Sequence, residues 1–452
     1  MSNCKISLIG AGSGCFSIGL VRDLCRSQIL AGCLVSLMDV DERRLDAVYK
    51  ICVRFNAELG GSLRFEKTMD RIESLRGADF VINTALTAPH AQLREGWEIA
   101  KKWGFRFGGS YHVMYDEAFW INFYQMRFFE SITEDILTYC PDAWHLMVAN
   151  PVVAGTTWLQ RKYPQAKMVG LCHGYAMAHK IAEVLGYDRN DITYQIPGVN
   201  HFVWMNEARL KGKPLFPILD KWIAEKGEEY WETCGLSAPL GKKRMDFYKK
   251  HGVIGIGDTI SWTGASWPWW YHSDDEVEKS FGEYAPQDGW KGYFDTVQKN
   301  ADDIIALSKD PEARVSEFLD RLDNDDLMVP LVEAIAGDQP RVLIVNTLNR
   351  GQLVPGIPED FEVEVPALCS ADGIHPVATT ALPKHMIAHI LRDRVAPVEM
   401  ELAAYESGNL DYLKELVLMD KWAVSMEQVS GFIDEILDLP YHEEMKRHYK
   451  HQ

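Results

Sequence analysis

Residues 6–16 read Ile-Ser-Leu-Ile-Gly-Ala-Gly-Ser-Gly-Cys-Phe and lead into an amphipathic stretch. An apolar run that ends in clustered glycines and opens a helix is suited to a pyrophosphate. Glycine lets the backbone come close, and the free N–H groups and dipole of the helix start favour negative charge. The spacing departs from the usual glycine pattern, because the third glycine, Gly14, falls one residue early. Asp39 ends the next apolar run, where a carboxylate can accept from both ribose hydroxyls and repel a 2′-phosphate, so NAD is expected rather than NADP. The plainer reading is a tight turn without a ligand. The strand–turn–helix context and Asp39 together favour a dinucleotide site at Gly10, Gly12, Ser13, Gly14, Phe16 and Asp39.

Two further segments carry candidate ligands. Leu171-Cys172-His173-Gly174-Tyr175 follows an apolar run, and Gly198-Val-Asn-His201-Phe202 is a polar insertion beside another. A thiolate and an imidazole from two segments could hold a divalent ion and leave positions open for substrate. A cysteine at a strand end is as readily a small buried hydrophobe, and spacing alone does not choose. Val148-Ala-Asn150-Pro151 could present an amide to a sugar hydroxyl or to the cofactor, or be a simple turn. Trp262, Trp267, Trp269 and Trp270 could offer apolar faces to a sugar ring, but filling a core or a subunit interface is the more ordinary role for each.

These residues need a scaffold. The chain has 452 residues, 47% apolar and 25% charged, enough for about two or three domain-sized units with large cores. Short apolar runs at 6–9, 34–38, 80–83, 146–149 and 168–171 alternate with helical patterns such as 18–30 and 43–59, which predicts a doubly wound α/β sheet. Beyond about residue 195 the pattern is mixed, with strands near 199–205 and 361–365 among helices such as 301–307. The division falls near Ile196-Pro197-Gly198, giving a dinucleotide-binding domain over 1–195 and a mixed α/β domain over 196–452. A net charge of −18 argues against nucleic acid. No apolar run is long enough for a membrane span, and the N-terminus does not read as a secretory signal. Nine cysteines without a Cys-x-x-Cys pair suit reduced thiols in a cytoplasm.

Taken together, the chain resembles the family 4 glycoside hydrolases, NAD- and metal-dependent glycosidases related to lactate and malate dehydrogenases. The resemblance rests on the Gly-Ala-Gly-Ser turn, Gly77-Ala-Asp-Phe-Val-Ile-Asn83, Asn150-Pro151, Cys172-His173, Asn200-His201, and the stretches 345–351 and 363–366 in that order. It implies a Rossmann-like N-terminal domain, Cys172 and His201 as metal ligands with Mn²⁺ the usual ion, and Asn150 as a substrate-binding residue. It also implies a mechanism. The sugar is oxidised at C3 by hydride transfer to NAD, a base removes the acidified C2 proton, and the glycosidic oxygen leaves by elimination. Water then adds and the stored hydride returns. No facing pair of carboxylates is required. His173 stands where the phosphoglycoside branch has an aspartate proposed as general acid. The base is a tyrosine in several members and needs a depressed pKa. Tyr271, in Trp267-Pro-Trp-Trp-Tyr-His272, is the first candidate, and Tyr111 the second.

Within the family the run beginning at the metal cysteine tracks substrate class. Cys172-His173-Gly174-Tyr175 looks like the α-galacturonidase version, which acts on oligogalacturonides from pectin. A glycine at 174 would make room for a substituent at C5, but no Arg or Lys is marked as the receiver of its carboxylate. An α-glucuronidase or a neutral α-galactosidase of the same family is an alternative. So are an NAD-dependent 2-hydroxy-acid dehydrogenase, which shares the fold, and a non-catalytic NAD-sensing regulator. The resemblance further implies a homodimer or homotetramer.

Overall fold

The computed structural model describes residues 4–13, 15–105, 118–235, 238–260, 267–282, 286–320 and 326–451. Strand β1 (Lys5–Ile9) is apolar and almost wholly buried, and β2 (Leu34–Met38) lies parallel to it. With β3 (Arg64–Thr68), β4 (Phe80–Asn83), β5 (Trp144–Met147) and β6 (Met168–Gly170) they form a parallel sheet in the order β3-β2-β1-β4-β5-β6. Continuous apolar runs suit strands covered on both faces. β3 is the exception: its sequence, RFEKT, is polar because it is the edge strand, and composition did not mark it.

The helix α1 (Cys15–Arg26) follows the glycine turn, and α2 (Glu42–Glu58) follows β2. Asp41 caps α2 by accepting from the Arg44 N–H, and Leu45, Val48, Ile51, Cys52 and Phe55 place an apolar stripe on the sheet at helical spacing. Ile6, Leu8, Val35 and Leu37 meet that stripe. The opposite face is covered by the helices Phe119–Tyr139 and Val152–Lys162 and by C-terminal helices including Ala396–Ser407 and Met426–Leu437.

The later strands are β7 (Ile192–Gln195), β8 (Gly198–Val199), β9 (Phe202–Met205), β10 (Glu207–Leu210), β11 (Lys213–Pro214), β12 (Ile254–Ile256), β13 (Arg341–Leu348), β14 (Glu362–Ser370) and β15 (Gly373–Pro376). β13 pairs antiparallel with β6, and β14, β8, β9 and β12 continue outward, so one sheet runs from β3 to β12. A separate three-stranded sheet holds β7, β10 and β11. The single strand expected over 199–205 is instead a hairpin. Val199 pairs with Phe202, and His201 takes φ +58 in the turn between them.

The expectation of reduced thiols fails at one pair. Cys4 and Cys33 form a disulfide, with Cα atoms 4.9 Å apart. Lys5 lies opposite Leu34 in the parallel register, so the residues preceding the two strands are neighbours. A sequence separation of 29 hides this. Cys25, Cys52, Cys140, Cys172, Cys234 and Cys369 are free.

Phe55 is fully buried between α2 and the sheet. Phe55→Ala is expected to lower unfolding stability by about 3–5 kcal/mol in urea; a loss below about 1 kcal/mol would show that this stripe does not anchor the sheet.

Candidate active site

The carboxyl ends of β1, β5 and β6 carry three of the segments singled out above. At the first, Gly10 has φ +86, and a Cβ there would lie 2.7 Å from the Ala85 backbone, which follows β4. Only glycine permits that approach. A Cβ on Gly12 would meet the Asp39 carboxyl at 2.9 Å. The Gly12 N–H donates to Asp39 Oδ2 at 2.7 Å and the Asp41 N–H to Oδ1 at 2.9 Å, so Asp39 organises the turn itself. A carboxylate has lone pairs beyond these two bonds with which to accept from hydroxyls. The Ser13 N–H donates to the Gly10 carbonyl, and its hydroxyl stands 3.1 Å from that of Ser17. Phe16 lies in the first turn of α1; its side chain and Gly14 fall outside the described residues.

At the second, β5 ends at Met147, and the N–H groups of Val148 and Ala149 both turn to the Asn83 carbonyl. The chain leaves the sheet two residues earlier than the apolar run at 146–149 suggested. Asn150 follows, half-buried, just ahead of the helix Val152–Lys162. Its amide bonds to nothing among the described residues.

The third brings together the two proposed ligands. The Cys172 thiol, just past β6, lies near enough to the His201 imidazole for the ring to favour loss of its proton. Burial pushes the thiol pKa up. The imidazole works against that rise, while the Glu364 and Asp258 carboxylates add to it. Cys172 Sγ also accepts from the Gly174 N–H at 3.4 Å. Asp258 Oδ2 stands 3.8 Å from His201 Nε2, and the hydroxyl of its neighbour Thr259 bonds to both the N–H and the carbonyl of Val203. Thus the turn Gly257–Ile260 is tied to β9. Among the described residues no His, Cys, Asp or Glu completes a three-donor cluster. One sulfur and one nitrogen would leave most of a divalent ion's coordination to substrate and water.

Two glutamates hold Asn200, the residue before His201, and sequence reasoning missed both. Glu362 and Glu364 are buried on one face of β14. Glu362 accepts from the Asn200 N–H at 3.1 Å, and Glu364 from the Asn200 side-chain amide at 3.0 Å. Burial raises the Glu364 carboxyl to about 7 and lifts Glu362 well above its ordinary value. The pattern Glu-Val-Glu in an apolar strand was the available signal, since alternate residues share a face.

Two expectations are corrected, for Tyr271 and Gly174, while the described tryptophans take the more ordinary role of core packing. Tyr271 is no base. It is 1% exposed in the aromatic core, its phenol donates to Asp246 at 2.5 Å, and burial with that carboxylate drives its pKa far up, the reverse of what a base needs. Gly174 does not face open space: a Cβ there would meet Gly257 Cα at 3.6 Å and Cys172 Sγ at 3.7 Å. Trp267 is sealed in the core against Phe202, Trp204 and Phe247, with Trp269 and Trp270 packed against that cluster. Tyr111 and Trp262 lie outside the described residues. His173 is exposed beside Cys172.

The family 4 glycosyl hydrolase model matches residues 5–187, and the model for that family's C-terminal domain matches residues 196–423. The chain belongs to family 4 of the glycosyl hydrolases. It is 26% identical over 412 residues to an alpha-galacturonidase of Thermoanaerobacter italicus, covering 84% of this chain and 83% of that one. It is 25% identical over 467 residues to an alpha-glucosidase of Erwinia rhapontici, covering 96% of each. A 6-phospho-alpha-glucosidase from gut microorganisms, solved in complex with NAD and Mn²⁺, superposes with a TM-score of 0.79 at 18% identity and 99% coverage of both chains. That likeness confirms the mixed α/β fold with its Rossmann-like sheet. In this family 4 enzyme, then, the glycine turn, Asn150 and the Cys172–His201 pair sit on a scaffold shared with glycosidases.

Two outcomes are expected. A Cβ on Gly257, which has φ +58, would fall 2.8 Å from Gly174 Cα, whereas one on Gly174 makes ordinary contacts. Gly257→Ala should therefore cut glycosidase turnover at least tenfold and Gly174→Ala less than threefold; the opposite ranking would show that the two loops do not depend on this contact. Glu364 has a raised folded pKa, so the stability it favours is present below the ordinary carboxyl range and lost as pH rises through about 7. Metal-free Glu364→Gln keeps an acceptor for Asn200. It should match the wild type near pH 4.5 and gain up to about 3 kcal/mol by pH 8, read by urea unfolding; an advantage that does not vary with pH would contradict the shift.

Proposed function

We propose that this glycosidase cleaves α-galacturonides, the oligogalacturonides derived from pectin, using NAD and Mn²⁺. The observation that carries the chemistry is the nearness of the Cys172 thiol, at the carboxyl end of β6, to the His201 imidazole, which favours loss of the thiol proton. Support for the substrate class comes from the run Cys172-His173-Gly174-Tyr175 and from the galacturonidase relative. The glucosidase relative makes a neutral α-glycoside the reading to be tested against it.

The residues fit both groups. Gly10 and Gly12 form a cradle that a Cβ would fill, Asp39 stands at its edge for a ribose, and α1 opens directly behind it. A thiol and an imidazole so placed are a donor pair for a divalent ion, although sulfur and nitrogen alone do not select manganese. When bound, NAD supplies a hydride acceptor for C3 and the ion a Lewis acid that makes the C2 proton removable. Cys172 must release its proton to serve as a ligand, and His201 lies where it favours that loss. Asn150 offers an unbonded amide to a sugar hydroxyl. His173, exposed next to Cys172, is the proposed proton donor to the departing glycosidic oxygen. With Tyr271 withdrawn, Tyr111 is the proposed base. Residues 1–195 are proposed as the dinucleotide domain, and 196–452 as the part that completes the metal site and the oligomer.

The deciding assay offers digalacturonate, glucuronides and neutral α-galactosides with NAD, Mn²⁺ and a thiol reductant. Uronide cleavage without accumulating NADH is expected; preferred cleavage of a neutral galactoside would overturn the substrate reading. Cys172→Ser should abolish metal-dependent turnover and spare NAD binding, and undiminished turnover would remove Cys172 from the site. A substrate deuterated at C2 should react more slowly or exchange its label with solvent. Full retention at an unchanged rate would point to ordinary displacement.

A further inference from the structure

We propose that Arg394 receives the carboxylate on C5 of the sugar, an inference that rests on the galacturonide reading above. Arg394 lies in Leu391–Val395, a segment of wider π-helical winding between the helices Lys384–Ile390 and Ala396–Ser407. Such insertions recur at functional sites. Its residue is only 3% exposed. Nη1 donates to the Asp393 carbonyl at 2.9 Å, while the buried Nε has no acceptor. Among the described residues no carboxylate comes within ion-pair distance of this guanidinium.

That arrangement is costly, because a cation stripped of water needs a partner of opposite charge. The preceding residue, Asp393, is an acid already taken. Asp393 accepts from Arg392 Nε at 2.6 Å and from Trp267 Nε1 at 2.7 Å, with His389 at 3.6 Å. Of the other buried arginines, Arg22 pairs with Asp23, and Arg244 donates through Nη1 and Nη2 to the carbonyls of Ala238, Pro239, Gly257 and Ile260. Arg394 instead lies over the ring of Phe202, 4.6 Å from its centroid, a contact that offsets only part of the desolvation.

Phe202 is the residue after His201 and begins β9. The unmatched cation therefore stands one side chain away from the turn that carries the imidazole ligand. On a pyranose C5 stands opposite C2 and two bonds from C3, so the receptor of its substituent must be near the metal ligands without being one of them. A guanidinium can meet a carboxylate through two parallel N–H···O bonds, and the unused Nε belongs to one edge of that fork. A 6-phosphate would satisfy the same fork, and the assay separates the two anions.

The test measures kcat/KM of wild type, Arg394→Gln and Arg394→Lys with digalacturonate, a 6-phosphoglycoside and a neutral α-galactoside. Tm and the affinities for NAD and Mn²⁺ are measured alongside. Digalacturonate turnover should fall at least 100-fold in R394Q and about tenfold in R394K, through loss of uronate binding. NAD and Mn²⁺ affinities should stay within twofold. R394K keeps the test open if R394Q does not fold. Uronide kcat/KM within threefold of wild type in R394Q, or in R394K should R394Q not fold, overturns the inference and leaves the galacturonide reading standing. So does a fall in uronide turnover matched by equal losses of NAD and Mn²⁺ affinity. A wild type that cleaves no uronide overturns both, and preferred cleavage of the 6-phosphoglycoside reassigns the anion and overturns the carboxylate proposal.

Discussion

The approach of the Cys172 thiol to the His201 imidazole is the constraint around which the rest of this site is arranged. Neither group is held by its own element alone. Cys172 is delivered by a parallel strand, and His201 by a two-residue turn in an antiparallel hairpin. Their meeting requires that β6, β13, β14, β8 and β9 keep register across the sheet. Left-handed backbone at His201 has an energetic cost that the surroundings must offset. Two glutamates on Asn200 and a threonine on Val203 do so, one set on each side of His201 in the chain.

This support explains why so much charge is buried nearby. Glu362 and Glu364 are both sealed from water, and one oxygen of each lacks a partner. Burial keeps these carboxyls protonated to higher pH than usual, so they place less negative charge beside Cys172 and His201 than ordinary carboxylates would. The fold thereby trades some stability near neutral pH for a preorganised ligand.

Much of the parallel half was legible from the chain. The apolar runs that became β1, β2, β4, β5 and β6 are buried on both faces, where hydrophobicity and structure coincide. The glycine turn was legible because Gly10 has to adopt a conformation other residues avoid. What stayed hidden was long-range. The Cys4–Cys33 bond depends on which strands become neighbours, and the hairpin at 200–201 interrupts an otherwise strand-like run. Tyr271 looked available in a row of aromatics, yet that very row is what sinks it into the core. The Glu-Val-Glu pattern could have been read as two acids on one face, but only pairing β14 with β8 shows what they hold.

The uninterrupted sheet from β3 to β12 has a mechanical consequence. Nucleotide cradle and imidazole turn are mounted on a single hydrogen-bonded platform, so the two halves cannot swing apart like jaws without tearing strands. Admission of a sugar and its enclosure must then be the work of side chains and connecting loops, while the spacing between the glycine turn and the His201 turn is fixed when the chain folds.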